Sequence, residues 1–214
     1  MRTPCVLAPL VALVLGACTT VEPYDYTLFE AHRPRSVLVL PPLDQSMEVE
    51  ASYAYLATIT RPLAERGYYV FPVAVVDRML RDNGLSVPGE MHQAPLERLR
   101  DVFGADAVLY VTLKDWGTSF RVLDSATEVT VEAHLVDTAS GTEIWAGEHT
   151  AEYHSGSGGG SILGALIGAV VNQIATSISD PSAQVARECN QELFCDERRG
   201  LLLGPHHPEY VGGP

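Results

Sequence analysis

The sequence predicts an α/β fold: a mixed sheet with a parallel β-α-β start and an antiparallel hairpin, and helices packed on the sheet. Three patterns carry this prediction. An apolar run over residues 35–40 ends at Pro41 and Pro42, apolar residues at helical spacing follow over 51–66, and apolar and polar residues alternate strictly over 127–136. A continuous apolar run is typical of a strand that is buried on both faces, and strict alternation is typical of a strand with one face in solvent.

The first half of the chain predicts the parallel part of the sheet. The strand at 35–40 is followed by the helix at 51–66, in which Pro62 is expected to cause a kink or a break. Gly67 ends this helix, and the aromatic and β-branched residues at 68–71 predict the second strand. A strand, a helix and a strand in this order imply a right-handed crossover between parallel strands.

Two short helices and a central strand are expected next. The helices are predicted at 75–83 and 95–103, the second with Pro95 in its first turn, and a loop is predicted at 84–94. Residues 107–113 are almost continuously apolar. They therefore predict a strand in the middle of the sheet, covered on both faces.

The alternating strand at 127–136 opens the predicted hairpin. Val129 and Leu135 fall on its apolar face, and Glu132 falls on its polar face. The turn-forming residues 137–141 follow, in which Gly141 is free to take a positive φ, and 143–153 predicts the returning strand.

The C-terminal third predicts helices and a tail. An apolar helix is expected over 162–178, a short helix over 182–189, and disorder over 196–214, which leaves a single α/β domain over 35–195. Glycines recur every four residues along the first of these helices, at Gly160, Gly164 and Gly168. Two interpretations of this stripe remain open: close packing of the helix on the sheet, or a surface for self-association or partner docking.

Composition limits the classes of partner. The chain has 214 residues, 46% of them hydrophobic, and a formal net charge of −13. Such a chain is expected to fold, and its charge disfavours nucleic acid and anionic lipid headgroups as partners.

Residues 1–17 have the layout of a secretory signal peptide. Arg2 precedes an apolar run at 6–15, which is too short to span a bilayer, and Gly16 and Ala17 end the segment. The sequence Leu15-Gly16-Ala17-Cys18 resembles the lipobox of bacterial lipoproteins. This resemblance implies cleavage between Ala17 and Cys18, and acyl chains such as palmitate on Cys18.

The residue after Cys18 is Thr19 and not the aspartate that often retains such proteins in the inner membrane. We therefore expect an outer-membrane location on the periplasmic face. The polar residues at 18–34 are expected to form a lipidated tether.

Two cysteines remain in the mature protein once Cys5 is removed with the leader and Cys18 is lipidated. In the oxidising periplasm, Cys189 and Cys195 predict a local disulfide. A redox-active pair would need a C-x-x-C spacing that is absent here. A metal site that adds His206 and His207 would lack a fixed ligand spacing.

Catalytic motifs are weak in this sequence. The glycine run at 156–160 lacks the lysine of a phosphate-binding loop, and no serine has the glycines of a nucleophile elbow. Asp115, His134 and His154 could be assembled into a triad on paper, but a solvated strand face explains them equally well. We therefore expect no enzyme and no cofactor or metal.

Three segments carry a family resemblance: GYYVFPV at 67–73, GADAVLYV at 104–111 and KDWG at 114–117. With the lipobox, they resemble an uncharacterised bacterial lipoprotein family typified by a genome-derived neisserial surface antigen. The resemblance extends to about residue 179 and implies no established activity. The hairpin LVDTASGTEIW at 135–145 also resembles one in curli-secretion lipoproteins and in lipoproteins that activate peptidoglycan synthases, which implies a TolB N-terminal-like fold.

These observations predict an outer-membrane lipoprotein that acts as a non-catalytic binding or assembly component of a cell-envelope or secretion complex. Envelope proteins are the expected partners, with a curli-type secretion lipoprotein among them, and a homo-oligomer is a further expectation. Regulation of peptidoglycan synthesis is the alternative, and an envelope enzyme is a less favoured one.

Overall fold

The computed structural model describes residues 23–121, 124–154 and 181–211. Six strands in these residues form one sheet in the order β3-β1-β4-β5-β6, and β2 pairs with β4 beside β1. The strands are β1 (Ser36–Val39), β2 (Leu43–Asp44), β3 (Tyr69–Val70), β4 (Ala107–Arg121), β5 (Asp124–Asp137) and β6 (Glu143–His154). The helices are α1 (Thr27–His32), α2 (Ala51–Glu65), α3 (Val73–Asp82), α4 (Pro88–Met91), α5 (Leu96–Phe103) and α6 (Ser182–Cys195).

The predicted mixed sheet is confirmed. Strand β1 lies between β3 and β4 and is parallel to both, while β5 lies between β4 and β6 and is antiparallel to both. Both faces of β1 are buried: Val37 and Val39 pack in the core under α2 and α6, and Leu38 and Leu40 pack in the core under α3, α4 and α5. Burial on both faces explains why this strand has a continuous apolar sequence.

Helix α2 is continuous through Pro62 and ends at Glu65, so the proline does not divide it. Tyr55, Ile59 and Leu63 lie four residues apart and are fully buried, which places one stripe of the helix against the sheet. Gly67 then takes a φ of +88°, a conformation that glycine adopts without a steric penalty.

The predicted hairpin is present, and its turn is held by Asp137. The carboxylate Oδ1 accepts hydrogen bonds from the backbone N–H groups of Ala139 and Ser140 at 3.1 and 2.7 Å. Gly141 has a φ of +71°. Strand β4 continues well past its predicted end at residue 113, because β5 pairs with it as far as Arg121.

The N-terminal segment is ordered where the sequence predicts a tether. Phe29 of α1 is 3% exposed and belongs to the main core. Tyr26 donates a hydrogen bond from its hydroxyl to the carbonyl of Gly200 at 2.6 Å. From Pro23 onward, the segment is therefore part of the folded body.

The C-terminal segment is also ordered, and the predicted disorder is wrong for residues 196–211. Leu201 is fully buried. The backbone N–H groups of Gly204 and His206 donate hydrogen bonds to the carbonyls of Arg66 and Gly67, at 2.7 and 3.0 Å. These contacts pin the segment to the end of α2.

The predicted disulfide is absent, because Cys189 and Cys195 are free thiols. The predicted helix at 182–189 continues to Cys195, so both cysteines lie on the single helix α6. Six residues of α-helix rise about 9 Å, whereas a disulfide requires Cα atoms closer than about 7 Å. The sequence prediction assumed a loop at this point.

We expect the two thiols to react very differently with a neutral maleimide. Cys189 is buried, and burial raises its pKa to about 12, whereas Cys195 is half-buried. In the native protein, Cys195 should be labelled and Cys189 should not, and both should be labelled after unfolding in urea. Peptide mass spectrometry measures this. The Cys195→Ser variant should remain unlabelled until it is unfolded, when Cys189 should react. Protection of both thiols in the wild type that ends only on reduction would show that the disulfide forms.

Among the described residues, no helix is both long enough and apolar enough to cross a membrane.

Candidate binding surface at the edge of the sheet

Among the described residues, the antiparallel half of the sheet has one face covered by α6 and an opposite face, called the bare face, on which no described helix is centred. Val129, Val131, Ala133 and Leu135 of β5 are fully buried on the covered face, where α6 packs. The intervening residues of β5 lie on the other face, where Thr130 is buried between its neighbours and Glu128, Glu132, His134 and Val136 are half-buried. This arrangement is the alternation that the sequence shows over 127–136.

Charged residues of three strands meet on the bare face. Lys114 Nζ of β4 lies 3.2 Å from a carboxylate oxygen of Glu132 and 2.6 Å from one of Glu148. Hydrogen bonds to Glu148 and Glu132 raise the pKa of Lys114. His134 Nδ1 lies 2.9 Å from a carboxylate oxygen of Glu143. Such exposed pairs contribute little to stability, so their main consequence is the charge pattern that they present to solvent.

That pattern is predominantly acidic. Glu128 and Glu152 are direct neighbours across β5 and β6, and like charges in this position repel each other. His154 Nε2 lies 3.1 Å from a carboxylate oxygen of Glu152. With the glutamates around Lys114, these residues give the bare face an excess of negative charge.

Strand β6 forms one edge of the sheet. At its beginning, the backbone N–H of Ala146 donates a hydrogen bond to the hydroxyl of Tyr24 at 2.9 Å, so this N–H points away from β5. In a β-strand, the backbone N–H groups of every second residue point to the same side. The N–H groups of Glu148, Thr150 and Glu152 therefore point outward as well. Within the described part of the chain, no strand pairs with this outer edge. An unpaired edge of this kind is a template for an added strand.

A groove of about 690 Å³ runs between β6 and α6 and continues the edge. His149, Glu192, Arg198 and Arg199 are among the residues that line it. His149 Nε2 lies 2.6 Å from a carboxylate oxygen of Glu192, but the two groups are not aligned as a hydrogen bond. The groove therefore presents charges of both signs beside the open strand edge.

The structure does not assemble the triad that could be drawn from the sequence. His134 lies opposite Ala146, whereas His154 lies opposite Ala126, so eight residues of β5 separate their positions. At about 3.4 Å per residue, this corresponds to about 27 Å. No hydrogen-bonded arrangement of Asp115, His134 and His154 is possible at such a distance.

The other residues and segments that the sequence singles out form no site within the described part of the chain. Ala17, Cys18, the glycine run at 156–160 and the predicted apolar helix at 162–178 lie outside the described residues. In the part of the chain that the structure describes, no three His, Cys, Asp or Glu side chains are grouped so as to hold a metal ion. Sequence reasoning did not identify the open edge of β6, because strand order is not encoded in any single segment.

The fold places the chain in the class of α/β domains built on a mixed sheet. The chain belongs to the GNA1162-like lipoprotein family, which matches residues 24–206. It is 41% identical to the Neisseria meningitidis serogroup B lipoprotein NMB1124/NMB1162 over 209 residues, which are 96% of this chain and 97% of the relative. The crystal structure of lipoprotein GNA1162 from Neisseria meningitidis matches with a TM-score of 0.57 at 44% identity, covering 67% of this chain and 100% of that chain.

More distant likenesses include the PelC dodecamer from Paraburkholderia phytofirmans, with a TM-score of 0.46 at 16% identity over 75% of this chain and 86% of that chain. The family match confirms the resemblance seen in the sequence and extends it beyond residue 179. The domain that the family shares therefore includes α1, α6 and most of the ordered C-terminal segment.

Proposed function

We propose that this protein is an outer-membrane lipoprotein, anchored through Cys18 on the periplasmic face after cleavage behind Ala17, that works by binding another envelope protein. Membership of a lipoprotein family and the lipobox support the anchoring. The relatives are named as lipoproteins, and the bare sheet face offers a surface for contact. Catalysis has no assembled set of residues to support it among those described.

The observation that carries this proposal is the open outer edge of β6 beside an acidic sheet face. A partner segment in extended conformation can add to the edge through main-chain hydrogen bonds, which supply affinity. Its side chains then alternate, so every second one faces Glu148, Thr150 and Glu152. The partner chemistry that fits is a strand with basic residues at alternate positions on an envelope protein, a curli-type secretion lipoprotein being one candidate.

Site-specific photo-crosslinking in cells tests this proposal. A benzoylphenylalanine at Glu152, on the bare face, is compared with one at Arg61 on α2, whose side chain is 85% exposed. We expect an adduct with an envelope protein from position 152 and none from position 61. Intact mass of wild type and Cys18→Ala, purified from the same membranes, checks that the mature chain starts at residue 18 and carries acyl chains.

The matched variants Thr150→Pro and Thr150→Ala separate main-chain pairing from side-chain contact. Proline removes the outward N–H, but edge strands tolerate it because the pairing with β5 does not use that group. Thr150→Ala keeps the N–H and loses the γ-methyl group and the hydroxyl, which bonds to the hydroxyl of Thr130 at 2.9 Å. We expect Thr150→Pro to reduce the adduct at least about tenfold, and Thr150→Ala to leave it nearly unchanged.

Each outcome of the experiment is informative. Equal yields from positions 152 and 61, or an adduct that survives Thr150→Pro, would reject strand addition at β6. An adduct with a peptidoglycan synthase would favour the alternative of a regulator of cell-wall synthesis, and an adduct between two copies would favour self-association.

A further inference from the structure

A small polar pocket lies where β1 and β4 begin, next to the turn between β5 and β6. Its volume is about 210 Å³. The groups that line it include three arginines, two aspartates and one histidine: Arg33, Arg35, Arg100, Asp106, Asp137 and His32. Three arginines at one small pocket are unusual in a chain with only 14 lysines and arginines and a net charge of −13.

The two carboxylates of this pocket are already engaged by other donors. Asp106 Oδ2 accepts hydrogen bonds from the backbone N–H groups of Arg35 and Ser36 and from the Ser36 hydroxyl, at 2.9 to 3.0 Å. Asp137 Oδ1 accepts from the turn that follows it, including the Ser140 hydroxyl at 2.7 Å. Burial tends to raise the pKa of Asp137, but the bonds from Ser140 and the charge of His32 bring the pKa below its usual value. Both aspartates therefore serve the backbone around the pocket.

The arginines, by contrast, are without an acidic partner. In the described part of the chain, none of Arg33, Arg35 and Arg100 forms a salt bridge, although other arginines do. All three side chains are exposed, and the Nε of Arg33 donates only to the carbonyl of Glu30 at 3.0 Å. Three guanidinium groups outnumber the two carboxylates, so the pocket has a positive excess.

The backbone at Arg33 adds a second observation. Arg33 has a φ of 41° and a ψ of 66°, and is the single non-glycine residue with positive φ among those described. This residue directly follows α1, a position at which glycine adopts the left-handed conformation at lower cost. Strained residues of this kind cluster at ligand sites, where the side chain has a role that glycine cannot fill.

The third observation is the distance from the lipid anchor. The N-terminal segment runs along β6 from Tyr24, whose hydroxyl accepts a hydrogen bond from Ala146, and through α1 to His32, whose Nε2 lies 3.2 Å from the Ser140 hydroxyl at the pocket. A helix of six residues is about 9 Å long. Pro23 follows Cys18 by five residues, which span at most about 18 Å. With lipid on Cys18, the pocket therefore lies within reach of the membrane surface.

We propose that Arg33, Arg35 and Arg100 bind the phosphate group of an anionic lipid headgroup and thereby fix the orientation of the domain on the membrane; this step rests on the proposed anchoring at Cys18. Guanidinium groups match phosphate oxygens with paired, charge-assisted hydrogen bonds. The net charge of the chain opposes this contact only weakly, because salt screens exposed charges beyond about 8 Å. The strand edge of β6 then runs away from the membrane and stays open to a partner.

Isothermal titration calorimetry of the full mature lipoprotein in neutral detergent micelles tests the proposal. The probe is dihexanoyl phosphatidylglycerol. Two comparison ligands are used. Dihexanoyl phosphatidylcholine has a phosphate group but no net charge, and sodium phosphate supplies phosphate without a lipid. The pocket variant is Arg33→Gln/Arg35→Gln/Arg100→Gln, and the control with the same charge change on α2, α3 and α5 is Arg61→Gln/Arg78→Gln/Arg98→Gln.

Wild type and the control variant should bind phosphatidylglycerol alike, and the pocket variant should bind it at least about tenfold more weakly. Arg100→Gln alone, which leaves α1 and β1 untouched, should weaken binding at least about threefold and serves if the triple variant fails to fold.

Equal binding of the two lipids by wild type, or equal affinity of the pocket and control variants, would overturn the proposal. Tighter binding of sodium phosphate than of phosphatidylglycerol would overturn the lipid as the source and assign the pocket to a soluble phosphate. The intact mass reports on Cys18 independently, so a failure of the anchor and a failure of the pocket are distinguishable.

Discussion

Replacement of Trp145 by alanine is expected to lower the free energy of unfolding by about 3–5 kcal/mol. Trp145 is the third residue of β6 and is 1% exposed, and its ring lies 5.7 Å from that of Phe194 on α6. The indole Nε1 donates a hydrogen bond to the carbonyl of Arg199 at 2.8 Å. One side chain therefore joins the hairpin, α6 and the C-terminal segment. Urea unfolding followed by far-UV circular dichroism measures the change.

Two further variants make this result specific. Trp145→Phe keeps an aromatic ring but loses the bond to Arg199, so we expect a smaller loss of about 1–3 kcal/mol. Tyr69→Ala removes an aromatic ring that is 52% exposed on the edge strand β3, and is expected to cost less than Trp145→Phe. A loss below about 1 kcal/mol for Trp145→Ala would show that the indole is not packed as described.

The second large effect is expected for Gly67→Ala, at about 2–4 kcal/mol. A Cβ at this position would lie 2.4 Å from the backbone nitrogen of His207 and 2.8 Å from the carbonyl oxygen of Gly204, and neither group can move without displacing the C-terminal segment. The φ of +88° adds a conformational cost for alanine. Chemical denaturation measures the loss of stability. The protease sensitivity of the C-terminal segment measures its displacement.

Gly84→Ala is the matched control, because Gly84 has a φ of +91° and nothing within 4 Å of the added Cβ. It should cost about 1–2 kcal/mol, so the difference between the two variants measures the packing of the C-terminal segment on Gly67. In a chain that ends at Leu203, this difference should disappear. Equal costs of Gly67→Ala and Gly84→Ala in the full chain would mean that the segment does not pack there.

The parallel half and the hairpin could be predicted because their signals are local. Strand β1 is apolar because both of its faces are buried, and β5 alternates because one of its faces is. The turn at Asp137 and Gly141 uses residues whose side chain or φ preference acts within a few positions. Each of these patterns reports on its own segment, whatever the rest of the chain does.

The ordered ends could not be predicted in the same way. Phe29 lies in a mostly polar segment with no periodicity around it, and Leu201 begins a run of three leucines that is too short to predict an element. Their burial depends on surfaces that α2, β6 and α6 create together, and those surfaces exist only in the folded chain. The same applies to the cysteines: the spacing of Cys189 and Cys195 suits a small loop, but packing extends α6 through both and separates them.

The arginine pocket and the open strand edge share this origin. Arg33, Arg35 and Arg100 belong to separate segments, and strand order alone leaves β6 at the edge of the sheet. The amino-acid sequence is thus sufficient for the kinds of secondary structure and the class of fold, because nearest-neighbour chemistry and periodicity dictate them, and it predicts a signal peptide and a lipobox. Only the tertiary structure decides which polar segments become ordered and which charges meet at one pocket, because these depend on contacts between residues far apart in the chain.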